Sequence, residues 1–310
     1  MGLLEGKVAI VTGAGRGIGR GEALLLAREG ASVVVNDVGA STRGEGSDTT
    51  PAEQVVAEIE AAGGSAAANY ADVTDYVSTG AMIEDAVRRF GRLDILVNNA
   101  GILRDRMIFN MSEDEWDAVM AVHLKGTFNC TRHAAAYWRE RSKAGEAVSG
   151  RVINTSSPSG LYGNLGQSNY GAAKAGIAAF TVIVAQELKR FGVTVNAVSP
   201  SARTRMTEEA FGNLQPAERG FDRLAPENIA PIVAYLASDD AAGITGQVFG
   251  VQGGNIALLQ GWMPAAVIDK QSAWEPDELV EAIEQLIPGK VAEPDPMAAR
   301  LAAGQASLRS

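Results

Sequence analysis

Short apolar runs, each closed by glycine or polar residues, alternate along this chain with longer stretches of helical spacing. Lys7-Val8-Ala9-Ile10-Val11-Thr12 is too brief for a helix and runs into glycines, so it predicts a strand buried on both faces. Arg20 to Glu29 then places Ala23, Leu24 and Ala27 on one helix face and stops at Gly30, a C-terminal cap. Ala31 to Asn36 predicts the second strand. The pattern repeats as a helix over Pro51 to Ala62, a strand over Ser65 to Asn69, a helix over Tyr76 to Phe90 and a strand over Leu93 to Asn98. A long helix from about Ser112 to Arg141, a strand at Arg151 to Thr155 and a helix from about Tyr170 to Phe191 follow. Strands at Val193 to Val198 and, last, Gln247 to Val251 complete it. Strands and helices at this interval make βαβ units, hence an α/β fold with a doubly wound parallel sheet. Ligand sites in such sheets lie at the carboxyl ends of the strands.

Three segments break the rhythm. Gly39 to Asp48 is a long Gly/Ser/Thr-rich link, and Lys143 to Gly150 reads as an excursion between helix and strand. Beyond Gly261 the alternation stops, so the expected organisation is one domain over residues 1–261 with an extension over 262–310. Within the extension, Pro276 to Ile287 predicts a short helix, with Pro276 near its first turn. Its apolar face is Leu279, Val280, Ile283, Leu286 and Ile287, ended by Pro288-Gly289 before a loosely ordered Ala/Pro-rich tail. That helix is expected to cover the substrate cleft or a neighbouring subunit.

Composition narrows the classes. Hydrophobic residues make up 46% of the 310 and charged residues 21%, an ordinary soluble balance. A net charge of −10 argues against a nucleic-acid partner. The single cysteine, Cys130, rules out an internal disulfide and a cysteine-based zinc site; it fits a reducing cytoplasm, and no metal is expected. Its apolar neighbours predict a buried, inert thiol. No uninterrupted apolar run approaches the roughly 18 residues of a membrane span, so no membrane partner is expected. The first strand starts within seven residues of the beginning, which leaves no room for a signal peptide.

The chemistry concentrates in Asn154-Thr155-Ser156-Ser157 and Asn169-Tyr170-Gly171-Ala172-Ala173-Lys174. A tyrosine and a lysine four apart share a helix face, where an ammonium favours the phenolate. A serine hydroxyl brought alongside can bond the same substrate oxygen. Ser157, Tyr170 and Lys174 can therefore move a proton on or off a carbonyl or alcohol oxygen while another group handles hydride. At the first strand, Thr12-Gly13-Ala14-Gly15-Arg16-Gly17-Ile18-Gly19 departs from G-x-G-x-x-G but fits Gly-x-x-x-Gly-x-Gly through Gly13, Gly17 and Gly19. Such glycines let backbone approach a pyrophosphate at a helix N-terminus. Asp37, eighteen residues past Gly19, can accept both ribose hydroxyls and repel a 2′-phosphate, which favours NAD over NADP. Arg16 points the other way, since a guanidinium there can pair a 2′-phosphate. Asp72, followed by Val73, can take an adenine amino group or cap the next helix. Asn98-Asn99-Ala100-Gly101 combines small residues for close passage with amides that pin neighbouring strands.

In this order, the glycine loop, Asn98-Asn99-Ala100-Gly101, Ser157 and Tyr170-x-x-x-Lys174 resemble the short-chain dehydrogenase/reductase family over about residues 5 to 255. The resemblance implies a Rossmann-type sheet, Tyr170 as general acid/base, and Ser157 orienting the substrate oxygen. It makes Lys174 the residue that lowers the tyrosine pKa and binds the nicotinamide ribose. Pro200 and Thr204 match the loop on the nicotinamide side. Where the family usually has an asparagine that holds a relay water, this chain reads Val122-His123-Leu124, so His123 is expected to hold that water or to be a satisfied buried histidine. His133 has no motif around it and reads as structural.

A narrower similarity, carried by Val35-Asn36-Asp37-Val38-Gly39, Asn99-Ala100-Gly101-Ile102-Leu103-Arg104-Asp105 and Val122-His123-Leu124, with Tyr162-Gly163-Asn164-Leu165-Gly166-Gln167 and Ser201-Ala202-Arg203-Thr204-Arg205-Met206-Thr207 adding to it, is to the (3R)-hydroxyacyl-CoA dehydrogenase unit of peroxisomal multifunctional enzymes. It implies NAD-dependent oxidation of a secondary alcohol, a 3-hydroxyacyl-CoA or a steroid-type alcohol; resemblance to the wider family implies a homotetramer, with a dimer as the alternative, and the single cysteine points to a cytoplasmic location. The rivals are an NADPH-dependent 3-oxoacyl reductase, supported by Arg16, and a non-catalytic dinucleotide-binding sensor or scaffold. The complete Ser157/Tyr170/Lys174 set argues against the latter.

Overall fold

The computed structural model describes residues 2–211, 215 and 220–288, and the chain divides into two compact units, Met1–Leu258 and Leu259–Ser310. The first strand, β1 (Val8–Thr12), shows why the first unit is layered. Ala9 and Val11 face one apolar cluster and Ile10 the other, so the strand is buried on both sides. In β4 (Ile95–Asn98) the same division sends Ile95 and Val97 one way and Leu96 the other. Each fully buried aliphatic side chain contributes roughly 1.5–3 kcal/mol, so a sheet covered on both faces is the main source of stability.

The chain enters through β1, α1 (Gly17–Arg28), β2 (Ser32–Asn36), α2 (Thr50–Ala61), β3 (Ser65–Asn69), α3 (Tyr76–Phe90) and β4. It continues through α4 (Glu113–Met120), α5 (Gly126–Lys143), β5 (Gly150–Thr155), α6 (Pro158–Tyr162), α7 (Ser168–Leu188) and β6 (Val193–Pro200). After α8 (Arg205–Phe211) and α9 (Ala230–Ala237) come β7 (Val248–Gln252) and β8 (Asn255–Leu259). The sheet order is β3-β2-β1-β4-β5-β6-β7-β8, with every pair from β3 to β7 parallel. The winding reverses between β1 and β4, which places the ligand crevice at their carboxyl ends. This is the doubly wound, Rossmann-type sheet that the alternation implies.

Four local features differ from the expected pattern. The long helix after β4 is interrupted by a π-helical turn at Ala121–Lys125, which separates α4 from α5 and carries His123. The strand at Val248–Gln252 is not the last: after Gly253-Gly254 the chain turns back into β8, and so short a link joins antiparallel strands. α6 and α9 stand in segments without a helical signature; α9 (APIVAYLA) is apolar nearly all round because it is buried nearly all round. α7, with its terminal turn, spans Ser168–Phe191 and is apolar enough by length and composition to cross a membrane. It instead packs on β6 and buries Ile177, Thr181, Val184 and Leu188.

In the second unit the helix is shorter than expected. α10 covers Leu279–Leu286, so Pro276 precedes it, and Lys270 pairs with Glu278 just before its start. Ala282 is its buried residue, whereas Val280, expected on the apolar face, is 59% exposed. The expected tail beyond Pro288 lies outside the described residues.

Candidate active site

β1 delivers the chain into a tight turn at φ +65° for Gly13 and +55° for Gly17, conformations that L side chains rarely adopt. A Cβ on Gly13 would lie 2.8 Å from the Ala100 Cα, and one on Gly19 would collide with the Gly13 carbonyl. Ile18 sits between the two in the first turn of α1. No side chain caps that helix and no acidic residue occupies its first turn, so its leading N–H groups remain available to an anion. The glycine cradle and the uncapped helix fit a dinucleotide pyrophosphate. Gly15, outside the expected motif, donates its N–H to Asp37 Oδ2 at 2.8 Å, and a Cβ there would press on that carboxylate.

Asp37 follows β2 directly, and its Oδ1 accepts the Gly39 N–H at 2.7 Å. Each oxygen holds one backbone donor and retains a lone pair, as acceptance of ribose hydroxyls requires. Arg16 faces Asp48, with Nη2 3.8 Å from Oδ2. Asp72 does not cap α3. Its Oδ1 accepts the Thr74 N–H at 2.8 Å, while Asp75 caps the helix by accepting from Val77 and Ser78. Val73 is buried, and its carbonyl is held by Asn129 Nδ2 at 2.8 Å.

The amides after β4 tie the floor of the crevice together. Asn98 Nδ2 donates to Thr131 Oγ1 (3.0 Å) and Asn154 Oδ1 (2.9 Å), and Asn154 passes a donor on to Thr181 Oγ1 (2.9 Å). Asn99 Nδ2 donates to the carbonyls of Thr12 and Gly13, while the N–H groups of Asn99 and Ala100 both donate to Thr12 Oγ1. Gly101 leaves room for His123, whose ring a Cβ there would strike. Pro200 ends β6, and the Thr204 methyl lies 3.7 Å from where a Gly17 Cβ would be, so the loop after β6 reaches the glycine loop.

β5 and α7 bring the three reactive residues together. Ser157 ends the run from β5, caps α6 by accepting the Ser159 N–H at 3.2 Å, and stands close enough to Tyr170 to favour its phenolate. Tyr170 is half-buried in the first turn of α7. Lys174, one turn on, is 3% exposed; its Nζ donates to the Thr155 carbonyl at 2.6 Å and stands 5.6 Å from the Tyr170 ring centroid. The electrostatics differ from the expected lowering of the tyrosine by the lysine. Burial pushes Tyr170 up to about 12, opposed by the Ser157 hydrogen bond and reinforced by Asp105, and burial pushes Lys174 down to about 7. Among the protein's own groups, desolvation outweighs the ion–phenolate attraction.

His123 meets Tyr170 edge to face, with ring centroids 5.1 Å apart. Its Nε2 contacts the Ile102 carbonyl at 2.8 Å and the Ile102 N–H at 3.1 Å, and its Nδ1 is buried without a protein partner among the described residues. Burial pushes its pKa down to about 3, so the ring is neutral and offers one unused nitrogen beside Tyr170. His133 lies apart, against Tyr76. Cys130 is fully buried and its thiol is pushed up to about 12, consistent with an inert role.

Asp105 and Gln167 fall in segments that carry the narrower similarity but have no role implied by it, yet they flank Tyr170. Gln167, 4% exposed, donates from Nε2 to Asp105 Oδ2 at 2.7 Å and accepts from Ser159 Oγ and Asn164 Nδ2. The buried, paired amide one turn before the tyrosine is visible only in three dimensions.

A tyrosine–lysine–serine cluster beside a glycine-cradled helix terminus, on a doubly wound sheet, defines a nicotinamide-dependent oxidoreductase acting on a CH–OH group. The family model described as short chain dehydrogenase matches residues 7–214, and the chain belongs to that family. It is 46% identical over 291 residues to the hydroxyacyl-CoA dehydrogenase ChsB1 of Mycobacterium tuberculosis, covering 93% of this chain and 90% of the relative. It is 48% identical over 235 residues to the peroxisomal multifunctional enzyme type 2 of Drosophila melanogaster, covering 76% of this chain and 37% of that longer protein. The crystal structure of a short chain dehydrogenase from Mycobacterium avium superposes with a TM-score of 0.84 at 53% identity, covering 95% of this chain and 99% of that one.

Proposed function

We propose that this protein oxidises the hydroxyl of a 3-hydroxyacyl-CoA, with NAD as hydride acceptor. The observation that carries the reading is the convergence of Ser157, Tyr170 and Lys174 at the carboxyl end of the sheet, beside the glycine cradle that follows β1. The similarity to a hydroxyacyl-CoA dehydrogenase over nearly the whole of both chains supports the substrate class. Gly13, Gly17, Ile18 and Gly19 hold the pyrophosphate, Asp37 the adenosine ribose, and Asp72 and Val73 flank the adenine side. Asn99, Ala100, Gly101, Pro200 and Thr204 border the nicotinamide. A bound oxidised nicotinamide would supply the hydride acceptor for the carbinol carbon and a positive charge that would favour a phenolate at Tyr170. Tyr170 removes the hydroxyl proton, and Ser157 holds the substrate oxygen against it. Lys174, fixed to Thr155, lowers the cost of the phenolate while it carries its proton. His123 Nδ1 is placed to hold a water that passes the proton outward.

The test is NAD reduction at 340 nm with 3-hydroxyacyl-CoA esters, hydroxysteroids and simple secondary alcohols, each repeated with NADP. Turnover confined to CoA esters with NAD is the expected result. Turnover of a free alicyclic alcohol instead would move the substrate to the steroid type, and a preference for NADPH would establish the 3-oxoacyl reductase reading. We further propose a cytoplasmic homotetramer packed through α5 and α7, where Phe128, Val182 and Ile183 are exposed and apolar; light scattering at micromolar concentration tests the subunit number.

A further inference from the structure

The strip Arg104–Arg106 is stitched to the residues just before Tyr170. The Arg106 N–H donates to the Gly166 carbonyl at 2.8 Å, Arg106 bridges Gln167, and Asn169 Nδ2 donates to the Arg104 carbonyl at 3.0 Å. Asp105 is thereby fixed on the tyrosine's flank, and its charge acts on the Tyr170 phenol. Oδ2 is committed to Gln167, but Oδ1 is buried and no donor among the described residues reaches it. The adjacent arginines do not neutralise it: Arg104 donates to the Arg43 carbonyl, and Arg106 pairs with Glu115. A buried carboxylate oxygen without a donor costs free energy comparable to a lost charged hydrogen bond, and proteins leave such groups mainly where something else completes them.

We propose that Asp105 is a second substrate contact, whose Oδ1 accepts a hydrogen bond from an amide N–H that the substrate carries beyond the reacting carbinol. The inference rests on the acyl-CoA reading and deepens it, because the pantetheine arm of a CoA thioester supplies amide donors on the far side of the sulfur while the carbinol is held by Tyr170 and Ser157. The chain Asp105–Gln167–Ser159–Ser157 makes this contact part of the framework that places the serine. Gln167 keeps the carboxyl oriented, since its own carbonyl is held by Ser159 and Asn164.

Asp105→Asn tests the contact with little change of shape. Gln167 Nε2 still needs an acceptor, so the asparagine oxygen stays on it and the NH2 takes the place of Oδ1, replacing an acceptor with a donor. The probes are racemic 3-hydroxybutyryl-CoA, its N-acetylcysteamine thioester, which retains an amide N–H, and ethyl 3-hydroxybutyrate, which has none. For the two thioesters KM is expected to rise about ten- to a hundredfold with kcat nearly unchanged, while KM for the ethyl ester stays within about twofold. An equal rise for all three, or a fall in kcat alone, would show that Asp105 only positions Tyr170 and would overturn the proposal. Unchanged constants for thioesters that the wild type oxidises would overturn it as well, leaving the acyl-CoA reading in place. A wild type that oxidises neither thioester would refute both. Thermal unfolding and NAD titration of Asp105→Asn establish that the variant is folded, and Asp105→Ala, which removes the acceptor without adding a donor, should show the same selectivity to a smaller extent.

Discussion

Glu22 lies in α1, the helix that presents the glycine loop; it is 0% exposed, and neither carboxyl oxygen has a hydrogen-bond partner among the described residues. Burial pushes its pKa from an ordinary 4.5 up to about 8. The folded protein therefore keeps this proton to about pH 8, whereas the unfolded chain releases it near 4.5. Since the folded state binds more protons between those values, stability falls as pH rises through that window. At pH 7 the unfolded carboxyl is ionised by about 2.5 units, which at ~1.4 kcal/mol per unit is a loss of about 3 kcal/mol; at pH 5 it is under about 1 kcal/mol. Glu22→Gln keeps the shape and abolishes the titration. Urea unfolding of both proteins at pH 5, 6, 7 and 8 should give nearly equal stability at pH 5 and a gap that widens to about 3 kcal/mol in favour of the glutamine at pH 7. For a chain of 310 residues that gap corresponds to roughly 4–6 °C in Tm. A gap that stays constant across pH, or a glutamine variant less stable at pH 7, would mean that the carboxylate is hydrated or paired, and the reasoning would fail.

Tyr170→Phe should lower kcat by about 10²–10⁴-fold, with NAD affinity within a few fold by fluorescence titration; loss of both would indicate a fold defect. Asp37→Ala removes the like charge facing a 2′-phosphate and should improve NADP affinity by at least about tenfold, measured in the same titration. Gly101→Ala drives a methyl into the His123 ring and should destabilise by about 1–3 kcal/mol, with part of that restored in the Gly101→Ala/His123→Ala double variant. Failure of the second change to restore anything would place the strain elsewhere.

The layered sheet was legible because strands buried on both faces read as unbroken apolar runs and its helices alternate with them. β8 was not: Asn255–Leu259 leaves Ile256 and Leu258 exposed, so its apolar residues announce no core. α9 escaped for the opposite reason, being too uniformly buried to show a period. The reactive trio and the glycine cradle could be found because their spacing follows local geometry, four residues on a helix or a turn between strand and helix. Asp105, Gln167 and Glu22 could not, since their significance lies in which partners each lacks or finds across the fold. The π turn at Ala121–Lys125 likewise leaves no signature in Val122-His123-Leu124, although it carries the histidine that meets Tyr170.

The hydrogen bonds from Asn99 to Thr12 and Gly13 join positions more than eighty residues apart, and Asn98 reaches as far forward as Asn154. The crevice thus has no precursor in any contiguous piece of the chain: until β4 inserts between β1 and β5, the glycine loop has no opposite wall and Ser157 no floor. Such distant pairings form late and slowly. Recovery of catalytic turnover after dilution from denaturant would accordingly time the seating of the central strand, and would lag behind helix formation seen by circular dichroism.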